Sequence, residues 1–93
     1  VCTGTFLLEE SGIFSGRTVT THRGYLSQIK LHAVDHRIVK DGNLITCQGV
    51  TSGIDGSLFL VLLLYGKEKA ERIAQRIEYL PSVEALLPMT HIC

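Results

Sequence analysis

Tryptophan is absent from this 93-residue chain, proline occurs twice and cysteine three times. With three tyrosines and three phenylalanines as its aromatics, the chain must fill its core with leucine, isoleucine, valine and alanine. Charge of neither sign prevails: nine Lys and Arg balance nine Asp and Glu, and the pI is about 7.1. No Lys/Arg cluster supplies the basic patch that nucleic-acid binding needs, which sets that function aside. The three cysteines are widely spaced and odd in number, a poor disulfide framework, and no C-x-x-C pair offers a zinc site. A reducing, cytoplasmic setting fits this usage better than a secreted one. No charged segment followed by an apolar run stands at the start, so no signal peptide is read. The longest apolar run, Leu58 to Tyr65, is far short of the roughly 20 residues a membrane-spanning helix needs. It is expected to be a core helix, with no membrane role.

What is present is a 45% hydrophobic, 19% charged composition, that of one small globular domain. The chain is organised around its first residues, Val1-Cys2-Thr3-Gly4. Cys2 stands where a strand would end and a helix begin, with Thr3 and Gly4 opening a helix that runs through Ser11 and stops at Gly12. Such a turn pushes the side chain of its central residue out at the sheet edge, and a glycine two residues on removes a crowding Cβ. The helix N-terminus also places partial positive charge beside the sulfur. One cysteine before a Thr-Gly pair is a weak motif, and a buried, inert thiol is the competing reading. The strand that would deliver Cys2 lies ahead of Val1, so the 93 residues are expected to be half of a larger unit.

Arg17-Thr18-Val19-Thr20-Thr21 is rich in β-branched residues and predicts a strand, with His22 at its C-terminal end. In open α/β sheets ligands and reactive groups collect at such ends, so Cys2 and His22 are expected on one rim. Tyr25, Leu26 and Ile29 have a helical spacing that predicts a helix from Arg23 to about Leu31. Asp41-Gly42-Asn43 between Arg37–Lys40 and Leu44–Thr46 predicts a β-hairpin. Ser52 and Asp55 have capping-box spacing for a helix from about Gly53 to Tyr65, apolar nearly all round and so buried on most sides. Gly66 breaks it. Lys67 to Leu80 predicts an amphipathic helix ended by Pro81, with Ala70, Ile73, Ala74 and Ile77 on its inner face. The tail from Ser82 has no clear period. The alternation points to an α/β sheet with helices on both faces, with too few strands to cover the apolar helix.

Val1-Cys2-Thr3-Gly4, Leu7-Leu8, Gly12, Gly16-Arg17, Thr20-Thr21-His22, Asp41 to Thr46 and Gly49 to Asp55 together resemble, in order and spacing, the ThiJ/PfpI superfamily (class I glutamine amidotransferase-like). The isonitrile hydratase-like branch is the most similar. The resemblance covers residues 1–80, and 81–93 form a divergent tail. It implies a flavodoxin-like three-layer α/β sandwich, of which residues 1–93 would be the C-terminal half of a single domain, usually in a homodimer. It further implies Cys2 as elbow nucleophile, Thr3 lining an oxyanion-type site and His22 as proton-transfer or thiolate-stabilising partner, with no cofactor and no metal. An acidic partner of the cysteine would come from upstream of Val1. Arg23 replaces a residue that is often Trp in this branch, and the stretch from His22 to Asp35 is shorter than usual, which puts the substrate pocket in doubt.

Each remaining candidate has a bland reading beside the sharp one. His32 and His36, four apart, could bind zinc on a helix but are more simply solvated. Cys47 is read as packing, and His91 and Cys93 as exposed terminal residues. Lys67, Glu68, Lys69, Glu71 and Arg72 read as a solvated helix face. Three functions follow from the resemblance. One is a cysteine-dependent hydratase acting on a small electrophile, not expected to turn over with these 93 residues alone. The others are a ligand-sensing domain related to AraC-type transcription regulators, and a stress-response deglycase, chaperone or redox sensor using the same cysteine.

Overall fold

The computed structural model describes residues 1–93. A 3-10 turn over Cys2–Gly4 leads into helix α1 (Thr5–Ser11), followed by strands β1 (Thr18–Val19), β2 (His32–Ala33), β3 (Ile38–Asp41) and β4 (Leu44–Cys47). Helices α2 (Val50–Tyr65) and α3 (Lys67–Arg76) come next, and the chain ends in strand β5 (Thr90–Ile92). β1 pairs with β2 in parallel, and a second sheet has the order β4-β3-β5.

The β3–β4 hairpin forms as the sequence predicts, with Asp41 opposite Leu44 and only Gly42-Asn43 between them. Gly42 takes φ 62° at the first loop position, where twist-matched two-residue hairpins need a left-handed backbone. Side chains then alternate along β4. Leu44 packs with Val19 and Ile29 on one side, against Phe6 and Leu8 of α1. Cys47 packs on the other with Ile38, Leu58 and Phe59, under α2 and α3. A sheet buried on both faces between helices is the three-layer arrangement.

Four local expectations are corrected. The helix expected from Arg23 does not form: only Arg23–Tyr25 makes a 3-10 turn, Ile29 turns into the α1-side core, and His32–Ala33 are drawn out to pair with β1. The tail is ordered as a 3-10 turn over Val83–Leu86 and then β5, which pairs in parallel with β3. Helix α2 starts at Val50, with Gly49 as N-cap and the Ser52 hydroxyl accepting the Gly49 N–H at 2.6 Å, so Ser52 and Asp55 do not form the expected box. Helix α3 stops at Arg76, well before Pro81. Glu78 takes φ 57° and the Tyr79 N–H closes on the Ala74 carbonyl at 2.8 Å.

Gly66 separates α2 from α3 as expected, with φ 90°. The inner face of α3 is Ala70 and Ala74, both buried, while Ile77 is 54% exposed. Helix α2 is not buried on most sides. Leu58 and Phe59 are buried, but Leu63 is 45%, Leu64 64% and Tyr65 70% exposed, leaving an apolar face uncovered within this chain. No helix is long and apolar enough to cross a membrane.

Candidate active site

Cys2 is half-buried and holds φ 55°, a left-handed backbone that residues with a Cβ rarely adopt. Such a conformation costs on the order of 1–3 kcal/mol and persists only where surrounding contacts impose it. Here two buried threonines impose it. The Thr21 hydroxyl donates to the Cys2 carbonyl at 2.9 Å, and the Thr5 hydroxyl lies 3.2 Å from the same oxygen and 2.9 Å from the Thr20 carbonyl. The Thr20 N–H in turn donates to the Thr46 hydroxyl of β4 at 2.9 Å. All four threonines are essentially inaccessible to solvent. The Cys2 turn is thereby tied to the end of β1 and to the hairpin. The Thr20 hydroxyl is the one buried side-chain polar atom left without a partner.

Of the residues singled out in the sequence, Cys2 is bonded through its carbonyl to Thr21, the residue that precedes His22. No hydrogen bond joins the Cys2 sulfur to the imidazole. His22 is exposed, and its Nδ1 accepts the Gly24 N–H at 3.0 Å, which leaves the proton of the neutral ring on Nε2. Tyr25 stands edge-on to the His22 ring at 5.7 Å. Thr3 is exposed and its hydroxyl makes no hydrogen bond within the chain.

A second set of functional groups carries no recognisable spacing. Asp55, 5% exposed, accepts from Arg37 Nε at 3.0 Å and Nη2 at 2.5 Å, and from the Tyr79 hydroxyl. Burial, reinforced by the bond to Asp55, pushes the Tyr79 hydroxyl up to about 12. Arg37 also reaches the Thr51 hydroxyl at 3.3 Å. Asp35 binds Gln48 Nε2 at 2.7 Å and Arg23 Nε at 3.1 Å, and those two contacts hold its carboxyl below the ordinary range.

His32 lies exposed on β2, whereas His36 packs against His91 with ring centroids 5.0 Å apart and the rings tilted by 44°. His91 is therefore half-buried rather than free in solvent. No group of three or more His, Cys, Asp and Glu side chains is placed to hold a metal ion. Cys47 is buried in the α2-side core, and desolvation pushes its thiol up, as suits a packing residue. Cys93 is exposed.

The chain is an α/β protein with a cysteine held at positive φ in the turn that opens its first helix. A family model, the DJ-1/PfpI family, matches residues 1–63, and the chain belongs to that family. It is 39% identical over 85 residues to isonitrile hydratase of Pseudomonas putida, covering 88% of this chain and 37% of that protein. Against the Parkinson disease protein 7 homolog of Danio rerio it is 38% identical over 79 residues, covering 78% and 41%. A crystal structure of a ThiJ/PfpI family protein from Pseudomonas syringae superposes with a TM-score of 0.76 at 33% identity, covering 87% of this chain and 35% of that one. The fold is accordingly the flavodoxin-like α/β type of these structures. The chain spans roughly two-fifths of the length of these two relatives.

Proposed function

We propose that Cys2 is the nucleophile of a hydratase-type site acting on a small electrophilic molecule, with the isonitrile group as the first substrate class to test. The reading is carried by one observation, the φ of 55° at Cys2 held by Thr5 and Thr21. It is supported by similarity to an isonitrile hydratase. In this scheme the Cys2 sulfur bonds to the electrophilic carbon while the substrate takes up a proton. Water then attacks the same carbon, the carbon–sulfur bond breaks and the thiol is restored, so the net change is addition of one water. In the same scheme His22 Nε2–H is the proton donor, and the Thr3 N–H holds developing charge. Three free cysteines suit the reducing cytoplasm as the setting. The uncovered apolar face of α2 supports assembly as a homodimer, which sedimentation velocity would read as a doubled mass.

A second reading, a stress-response protein using the same thiol, is favoured by the similarity to the Parkinson disease protein 7 homolog. One experiment separates the two. Incubation with a small isonitrile should yield the N-formyl amine with a full-length protein carrying these residues and none with its Cys2→Ser variant, while residues 1–93 alone should not turn over. Formation of a sulfinic acid at Cys2 under dilute peroxide, with no formamide from the isonitrile, would replace the hydratase reading by the second.

A further inference from the structure

Part of the second side-chain set lines a cavity of about 200 Å³ with no hydrophobic residue in its wall, formed by His22, Arg23, Arg37, Gln48 and the first turn of α2 around Thr51 and Ser52. No residue of the cysteine turn lines it, but two of its lining residues neighbour residues that touch the turn. Thr21, which holds the Cys2 carbonyl, precedes His22, and Val1 packs against Gly53, next to Ser52, so closely that a Cβ on Gly53 would lie 3.1 Å from a Val1 methyl.

Its hydrogen-bonding inventory is lopsided. Arg23 uses only Nε, on Asp35, which leaves both terminal nitrogens free, and its side chain is 74% exposed. Arg37 spends Nε and Nη2 on Asp55 and Thr51, leaving Nη1. His22 presents Nε2–H, because Gly24 occupies Nδ1. Gly49 has no side chain with which to cap α2, a helix of sixteen residues whose first N–H groups lack intrahelical partners. Acceptors are scarce by comparison. The Ser52 hydroxyl is engaged with Gly49, the Thr51 hydroxyl with Arg37, and neither aspartate lines the cavity, which leaves Gln48 Oε1 as the side-chain acceptor without a bond within the chain. Each guanidinium is already paired with a carboxylate outside the lining, so what remains on offer is free donors, and a small acceptor-rich group matches them. Two guanidinium groups favour planar or tetrahedral oxygen sets.

From this we infer that the cavity is an oxyanion-binding site that takes a carboxylate or phosphate-type group, held by Arg23, Arg37, His22 and the N-terminal turn of α2. Binding depends on the arginines and not on the chemistry of the thiol. Arg23 is the residue to change, because its ion pair is exposed; replacing Arg37 would strand the buried Asp55 charge and put folding at risk.

The test is titration of the ¹⁵N-labelled chain with sodium phosphate and, separately, sodium acetate, each against sodium chloride at matched ionic strength. Saturable shifts at Gly24, Thr51 and Ser52 are expected, with affinity weakened about tenfold in Arg23→Gln and unchanged in Arg72→Gln on α3. Response to acetate or to phosphate identifies which oxyanion the site prefers. Shifts that match those in chloride, or that survive Arg23→Gln undiminished, would overturn the site. Cys2→Ser should bind as wild type does, so a full-length wild-type protein that binds the oxyanion but forms no formamide counts against the hydratase reading alone.

Discussion

The Thr21 hydroxyl donates to the Cys2 carbonyl at 2.9 Å, joining the end of β1 to the turn that holds the cysteine at positive φ. The two residues are far apart in sequence and come from different elements, so the cysteine's geometry is a tertiary property. The short helix after it, by itself, would not hold such a backbone.

Thr21→Val keeps the shape of the buried side chain and removes only the donor. The Cys2 carbonyl is then left with the longer Thr5 contact, and unfolding in urea should show a loss of about 1 kcal/mol. Because the turn relaxes, alkylation of Cys2 should slow by more than the stability change explains. Thr21→Ser, which retains the donor, should restore the rate. Equal rates in Val and Ser variants would remove Thr21 from the positioning role.

Tyr79 gives the chain an alkaline limit. Its hydroxyl sits at about 12 in the folded chain against an ordinary value near 10, owing to burial and the Asp55 bond. A group raised on folding contributes stability that is complete below its unfolded value and lost as pH rises through the folded one. Thermal stability should therefore fall between about pH 10 and 12 in wild type. The Tyr79→Phe chain should start lower and decline less over that window. Phenolate absorbance, read as wild type minus Tyr79→Phe, should report a transition near the top of the window rather than the bottom.

Gly56 lies in α2 directly over Cys47 of β4, where an added Cβ would collide with the Cys47 sulfur. Gly56→Ala should destabilise by about 1–3 kcal/mol, although alanine is the better helix former. Cys47→Ala in the same chain should recover most of that loss, since it removes the colliding atom. A Gly56→Ala chain as stable as wild type would mean that helix and hairpin can separate freely.

Sequence legibility tracked how local each signal was. The hairpin was readable because Gly42 must supply a left-handed backbone between two β-prone runs, a requirement confined to a few residues. Gly12 and Gly66 marked helix ends for the same reason. β2 and β5 were not readable: His32–Ala33 and Thr90–Ile92 are strands only because β1 and β3 offer parallel partners distant in sequence. Tyr25, Leu26 and Ile29 have a helical spacing, yet tertiary pairing of His32–Ala33 claimed the segment's end. Asp55 was read as a cap because Ser52 precedes it by three. Its true partners, Arg37 and Tyr79, lie on opposite sides of it in sequence, and no spacing rule links them. The exposed Leu63 and Leu64 follow from the same limit, since an all-round apolar helix says that cover is needed and not which segment supplies it.

The most direct measurement is competitive labelling of the chain's three cysteines with limiting iodoacetamide at neutral pH, read by peptide mass spectrometry. Cys93 is an exposed thiol and Cys47 a buried one within the same molecule. If the turn makes Cys2 a nucleophile, the half-buried Cys2 should be modified ahead of the more exposed Cys93 by about tenfold or more, with Cys47 last. Modification of Cys93 first, with Cys2 trailing in proportion to its lower exposure, would contradict the account.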